Sequence, residues 1–429
     1  MKLLRRMAYL SVLTVVVPNV VNAQEPLLNL QEAVSIAVQE DPWLTASKQT
    51  QEAFASEAIA SSSLPDPKIS LTAASFPVDS FSSRQEGMTQ LVVGVSQAFP
   101  RGDTLSLSRK QKNQLAQKQP LLRADRIAKV KTTVTKLWLD VFFSQQSIRL
   151  IESDRALFEQ LVSTAKASYT STEGKARQQD VIRAQLELTR LDDRLTLLRQ
   201  KEERLQSELS EWIGVIAKSR LPDDLPSLTL KKTLLSPSTI PKQALYELIK
   251  EHPVLQATDQ DILASETSVE LAQQGYKPQW SANLKYGHRN DDPSGNDRAN
   301  LLSAGVTFDV PLFTDNKQDK QVRSAKFKTE AKKTEKLLVA RQLIANLRST
   351  FLQLNRLNER AALYHEELLP QMSAQSEAAL TAYNNDDGDF AEAVRSQIAE
   401  VNAKIDALAI AINRQKLIAE ANYLLLSGV

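Results

Sequence analysis

Three aspartates crowd one short turn. The segment YNNDDGDFAEAV, Tyr383 to Val394, sets Asp386, Asp387 and Asp389 around Gly388. Carboxylates this dense can attract a cation. An Asp just before an apolar-periodic segment can instead cap the free N–H groups of a helix start, and Asp389 before FAEAVRSQ suits that role. A second polar turn, YTSTEGKARQQDV, carries Gly174, Arg177 and Asp180. Neither turn holds a nucleophile beside a base. The only histidines, His252, His288 and His365, are scattered, and no HExxH pair exists. Cysteine is absent, which excludes disulfides, thiolate metal sites and a cysteine nucleophile. There is no nucleotide motif. The sequence therefore predicts no enzyme, no cofactor and no resident metal site.

The elements that carry these turns are long helices. From Asp103 to about Ser168 there is no glycine and Pro120 is the only proline; from Asn316 to about Asn384 there is no glycine and Pro370 is the only proline. About 65 residues at about 1.5 Å each span roughly 100 Å. Pro120 and Pro370 are expected to mark junctions or kinks. Return helices are expected over Arg177 to Trp212 and Phe390 to Leu426. In the first of these, Val181, Leu188, Leu191, Leu195, Leu198, Leu205 and Leu209 recur at threes and fours, a coiled-coil-like seam. Trp138 and Trp212 are expected within such seams.

Strands interrupt this helical pattern, and they come in copies. LVVGVSQAFP (Leu91 to Pro100) matches LLSAGVTFDVPLF (Leu301 to Phe313), with Gly94 over Gly305 and Pro100 over Pro311 at an offset of 211 residues. The copy extends to both sides. Asp41-Pro42 sits over His252-Pro253, and Tyr169 and Gly174 sit over Tyr383 and Gly388. Shared prolines and glycines fix backbone geometry, so the chain reads as a duplication. Each half runs short helix, second helix, two strands, long helix, return helix. The short helices are expected at Leu30 to Val38 and Lys242 to Lys250, and the second helices at Leu44 to Ser62 and Val254 to Gln274. Strands are expected over Lys68 to Phe76, Thr89 to Phe99, Trp280 to His288 and Leu302 to Val310. The loop GHRNDDPSGNDRAN reads as water-exposed, and His288 and Asp291 read as loop residues rather than ligands.

The N-terminus has a basic lead-in (Lys2, Arg5, Arg6), an apolar stretch from Met7 to Val17 and a small-x-small site ending at Ala23. Residues 1–23 are expected to be a signal peptide. Without them the Lys+Arg total falls from 53 to 50, against 51 Asp+Glu. A near-neutral chain with no basic patch interleaved with aromatics gives no reason to expect nucleic acid. No later apolar run reaches about 20 residues, so no transmembrane helix is expected. The expected organisation is a first repeat over 24–220, a linker over 221–239 and a second repeat over 240–429.

Strands of this length with one apolar face suit an outer-membrane-type bilayer, where only a closed barrel leaves no backbone group unpaired. Such barrels need about eight strands or more. One chain supplies four, so several chains must share one barrel, and three would give twelve. A periplasmic coiled-coil rod or adaptor is the competing reading, in which the strands are dispensable.

The mature chain resembles the TolC family of outer-membrane efflux proteins over essentially its whole length. The likeness rests on the duplicated layout, the strand entries LPDPKIS and GYKPQWSANLKYGHR, the strand exits AFPRGD and DVPLFTDNKQ, and the Tyr-x4-Gly turns. SLPDPKIS with SFP, and VPLFTDNKQ, also resemble the family's metal-efflux branch. The resemblance implies a mainly α protomer of a homotrimer, with a transmembrane 12-stranded β-barrel continuous with a long periplasmic α-helical barrel. It implies a passive exit duct in the bacterial outer membrane, docked on a periplasmic adaptor (membrane fusion) protein and an inner-membrane pump of RND type. The cargo implied is metal cations or, alternatively, drugs and organic solutes. It places the closed end at the helix turns, with Asp386, Asp387, Asp389 and Asp180 as aperture candidates. Gly174, Gly388, Arg177 and Arg395 become candidates for the tip turns and adaptor contacts. Val93, Val95, Phe99, Leu302, Val306 and Phe308 are expected to face lipid, with Trp280 and Tyr286 at membrane interfaces. The segment LPDDLPSLTL (Leu221 to Leu230) and the tail near Gly428 are expected in a belt around the helical barrel.

Overall fold

The computed structural model describes residues 27–170, 177–230, 241–385 and 388–426. The expected signal peptide, Gly174, Asp386, Asp387 and Gly428 lie outside these residues.

Each repeat opens on a capped helix pair. In the first, α1 spans Leu30–Gln39 and α2 spans Pro42–Ala60. The Asn29 side chain accepts from Glu32 N–H at 2.8 Å to start α1. Asp41 accepts from Trp43 N–H at 3.1 Å to start α2, with Pro42 at the first helical position. This cap sets α2 two residues earlier than the sequence reading had it. Burial alone would raise the Asp41 carboxyl, but hydrogen bonds from Arg126 and Trp43 N–H hold it below the usual carboxylate range.

The second repeat builds the same pair with different chemistry. Here α5 is Lys242–Ile249 and α6 is Pro253–Gln273. The cap is His252, whose Nδ1 accepts from Val254 N–H at 3.3 Å. That leaves the proton on Nε2, 3.2 Å from the Tyr423 carbonyl. The ring is wholly buried, and burial pushes its pKa down, so it stays neutral.

The long helices differ in how they take their prolines. The helix α3 runs unbroken from Thr104 to Thr170, through Pro120. Pro120 thus marks no break between helical segments. Helices flank it on both sides: Ser47 of α2 donates to Gln119 at 3.0 Å, and Lys118 pairs with Asp261 of α6 at 2.7 Å. Those contacts hold the path where one backbone bond is missing. Pro370 behaves as expected. The helix α7 (Gln318–Leu363) widens into a π turn over Tyr364–Leu368 before α8 (Leu369–Asn384). Proline has no N–H to return, and the largely exposed chain upstream relaxes its register. The return helices are α4 (Gln178–Ile213) and α9 (Phe390–Leu424).

Three apolar clusters run along this scaffold. One joins α1, mid-α3 and the end of α4 to the linker through Leu28, Trp138, Phe142, Leu209 and Leu221. Trp138 stacks on Phe142 at 5.4 Å and its indole N–H donates to the Leu28 carbonyl. Trp212 packs against the same cluster, so both tryptophans sit in seams as expected. The second cluster lies between α3, α4 and α9 toward the turns. The third seats α5 on α7 and the end of α9. The linker is strapped to this middle region, with Leu228 N–H donating to Gln415 and Asn422 to the Thr229 carbonyl.

The strands form one four-stranded antiparallel sheet in the order β1-β2-β3-β4. They are β1 Lys68–Ala74, β2 Gln90–Phe99, β3 Trp280–His288 and β4 Leu301–Phe308. The central β2–β3 pairing joins the two repeats. Bounds for β3 match the sequence reading. The first strand stops two residues short of Phe76 because Ser75 turns into positive φ, and β2 begins after Thr89, whose hydroxyl donates to the Ser75 carbonyl. The last strand ends at Phe308, not Val310. Asp309 is drawn into the strand exit, accepting from Gln279 N–H at 2.7 Å and pairing with Arg101.

Candidate functional site

Register decides what the sheet can do. Residues paired across all four strands share a face. Ile69 lies opposite Val95, Val95 opposite Leu284, and Leu284 opposite Ala304. One row along are Leu71, Val93, Tyr286 and Leu302. At the helical end Phe99, Trp280 and Phe308 form an aromatic row, with the Trp280 and Phe308 rings 4.8 Å apart. Val306 belongs to the same face. All eight strand residues expected at the lipid or its interfaces lie on one continuous surface, and all are exposed. Leucine, isoleucine and valine left outward on four adjacent strands make an apolar face that water does not favour.

The other face is polar and close-packed. It presents Ser70, Ser96, Ser281, Asn283, Lys285 and Ser303. Ser96 and Ser281 hydroxyls lie 3.1 Å apart. The repeated glycines belong here. A Cβ on Gly94 would stand 2.6 Å from Ser70 Oγ, and one on Gly305 would stand 2.9 Å from Asn283 Oδ1. Each glycine thus makes room for a neighbouring strand's polar side chain, which is why the two copies keep it.

Among the described residues, the outer edges of β1 and β4 have no strand partner. Their backbone N–H and C=O groups cannot stay unpaired in hydrocarbon. This sheet is competent to span lipid only when further strands close it.

Polar latches hold both ends of the sheet. At the helical end Arg101 donates to the Lys277 carbonyl at 2.7 Å and pairs with Asp309, while Lys277 reaches Asp103 at 2.8 Å. The hydrogen bond from Gln279 N–H, with Arg101 beside it, holds the Asp309 carboxyl below its usual range. Sequence reading flagged AFPRGD and DVPLFTDNKQ as strand exits but not this cross-repeat pairing. At the far end Arg289 reaches the Gly87 carbonyl at 3.2 Å and Arg298 the Glu86 carbonyl at 3.0 Å, tying the loop of one repeat to that of the other. His288 hydrogen-bonds Asn300 at 3.1 Å. Among the described residues no group of His, Cys, Asp or Glu could hold a metal ion.

At the turns the described polar residues serve the helix starts. Asp180 is buried and accepts from Arg177 N–H at 2.9 Å, closing a capping box on α4. Asp389 accepts from Ala391 N–H at 3.2 Å at the start of α9. Arg395 pairs within its own helix with Glu392 at 2.6 Å. Gly388 is needed for space: a Cβ there would lie 2.7 Å from Tyr383 N and 2.8 Å from the Ala382 carbonyl carbon. Tyr383 and Phe390 meet edge to face across the turn at 5.3 Å.

No protein-family model matches the chain, and no curated protein matches it. Solved structures do. CusC, whose structures concern folding and transmembrane channel formation, aligns with a TM-score of 0.74 at 11% identity, covering 93% of this chain and 92% of its own. The outer membrane protein VceC of Vibrio cholerae gives 0.72 at 12%, covering 93% and 96%. The outer membrane channel CmeC of Campylobacter jejuni gives 0.75 at 10%, covering 92% and 85%. The chain has the fold of these proteins over 92–93% of its length.

Proposed function

We propose that the protein is a passive exit duct in the bacterial outer membrane, the last component of a tripartite efflux assembly. One observation carries the reading: a sheet with an exposed apolar face, a polar face and two open edges, set on helices far longer than a globular domain uses. Three copies joined β4 to β1 close a twelve-stranded barrel. Its apolar face meets lipid and its polar face lines water. Helices α3, α7 and the return helices continue the passage into the periplasm. A periplasmic adaptor and an inner-membrane pump of RND type supply the energy, since the chain has no nucleotide motif and no catalytic pair. In this reading Asp389, with Asp386 and Asp387, lines the aperture, while Asp180 and Arg177 stabilise the adjoining helix start. Gly388 and Gly174 allow close approach of the adaptor.

Organic solutes are the cargo this reading carries, in preference to metal cations. The groove between the repeats is lined mainly by leucines, lysines and arginines.

Purified protein added to a planar bilayer should give stable single-channel steps, and its mass in detergent should equal three chains. Folded protein that stays monomeric and never inserts would restore the periplasmic-rod reading.

A further inference from the structure

The groove between the repeats has a chemistry of its own. It occupies about 640 Å³ between α3, α7 and α9 and is open to solvent. That volume falls within the roughly 300–1,000 Å³ of small-molecule sites. Its apolar lining comes from Leu352 and Leu357 of α7 and Leu417 of α9.

Its rim is cationic. Lys136, Lys416, Arg356 and Arg360 line it against a single carboxylate, Asp140. The lysines are matched, Lys416 by Asp140 and Lys136 by Glu420 just outside the lining. The arginines differ. Arg356 is 79% exposed at its side chain and pairs only with Glu359, three residues along the same helix at 2.6 Å. An exposed pair of this kind is weak and easily exchanged. The Arg360 guanidinium lies over the Tyr364 ring at 5.9 Å, which orients it without neutralising it. Four residues apart on α7, the two guanidinium groups share one face of the helix.

The cavity also has a side. Gln415 and Asn422 of α9 hold the linker. Leu417 follows Gln415 by two residues, so it points roughly 200° away around the helix. The cavity therefore opens on the face opposite the belt, which in the duct reading is the tunnel wall.

Leucines beside two exposed guanidinium groups, Arg360 and an Arg356 held by an exchangeable surface pair, match a ligand with an apolar body and one anionic head. Guanidinium takes a carboxylate or sulfonate with charge-assisted, forked hydrogen bonds. A metal cation or cationic drug would be repelled. We propose that this cavity is a binding site for amphiphilic organic anions. Its position on the tunnel wall rests on the duct reading; the binding does not.

Calorimetric titration of the detergent-purified full chain with 2-naphthalenesulfonate tests it. Saturable binding of one ligand per chain is expected. Inorganic sulfate lacks the apolar body and naphthylmethylammonium reverses the charge, so neither should bind saturably. Replacing both arginines, R356Q/R360Q, should weaken affinity at least about tenfold, whereas R356K/R360K, which keeps the charge but loses the fork, should weaken it less. Unchanged affinity in the glutamine variant, equal binding of the cation, or no binding to the native chain would overturn the proposal. Should the glutamine variant not fold, the native protein still decides. Affinity must fall when salt is raised roughly tenfold, and a salt-independent affinity overturns the site. Because titration needs no conduction, binding without channel steps would discard the duct and keep the site, and channel steps without binding would do the reverse.

Discussion

Exchanging two adjacent residues tests which face of the sheet meets lipid. Leu284 is the central residue of β3, on the apolar face and 50% exposed; Lys285 follows it on the polar face. The double variant L284K/K285L has the same composition and net charge. It moves one ammonium group from the polar face to the apolar face at the strand's midpoint. A lysine facing lipid at mid-depth costs about 2–4 kcal/mol. Three symmetric copies in one barrel would bring this to roughly 6–12 kcal/mol per assembly, a large share of the stability of an ordinary domain. Leu284 lies between Val95 and Ala304, with no carboxylate in that row to receive the charge. Folding from urea into phosphatidylcholine vesicles, read by heat-modifiable migration on a gel, measures the effect. The native chain should insert, and the swapped chain should need markedly less urea to be released or fail to assemble. The single change K285L should insert about as well as native. Insertion of the swapped chain equal to native would refute the assignment of the apolar face to lipid.

Two further outcomes follow from the geometry. Gly305→Val would drive its side chain into Asn283, at a cost of about 1–3 kcal/mol; the heat stability of the assembled barrel should fall, whereas Gly87→Val, with nothing within 4 Å, should leave it unchanged. The His252 cap should make the helical portion acid-sensitive. Burial lowers its folded pKa, so the unfolded chain binds the extra proton first; stability is complete above about pH 6.5 and declines as pH falls from there toward the folded value. Thermal unfolding followed by circular dichroism should show this decline as pH falls below about 6.5, and His252→Asn, which keeps a capping acceptor, should flatten it.

Local pattern carried a good part of the fold. Alternation placed Trp280–His288 to the residue, because a strand with one apolar face repeats every two positions. The caps and prolines placed α2, α5 and α6 within about two residues. The reading of two repeats rests on glycines and prolines at a near-constant offset, because each fixes local backbone geometry. Asp389 before an apolar run announced a helix cap, and the structure uses it as one.

What the sequence did not determine depends on neighbours brought from far along the chain. Pro120 and Pro370 look alike in their helices, yet one is braced by α2 and α6 and the other yields a π turn. Asp309 continues the strand pattern, but Arg101, 208 residues away, takes it out of the strand. Asp180 reads as one more acid at a tip until its carboxylate is found closing a capping box. The arginines of the mid-helix cavity gave no signal at all, since three helices from both repeats must converge before their side chains share a lining with leucines. Spacing along one element is fixed by backbone geometry and can be read directly. Contacts between elements depend on how the repeats pack, and only the folded chain holds that information.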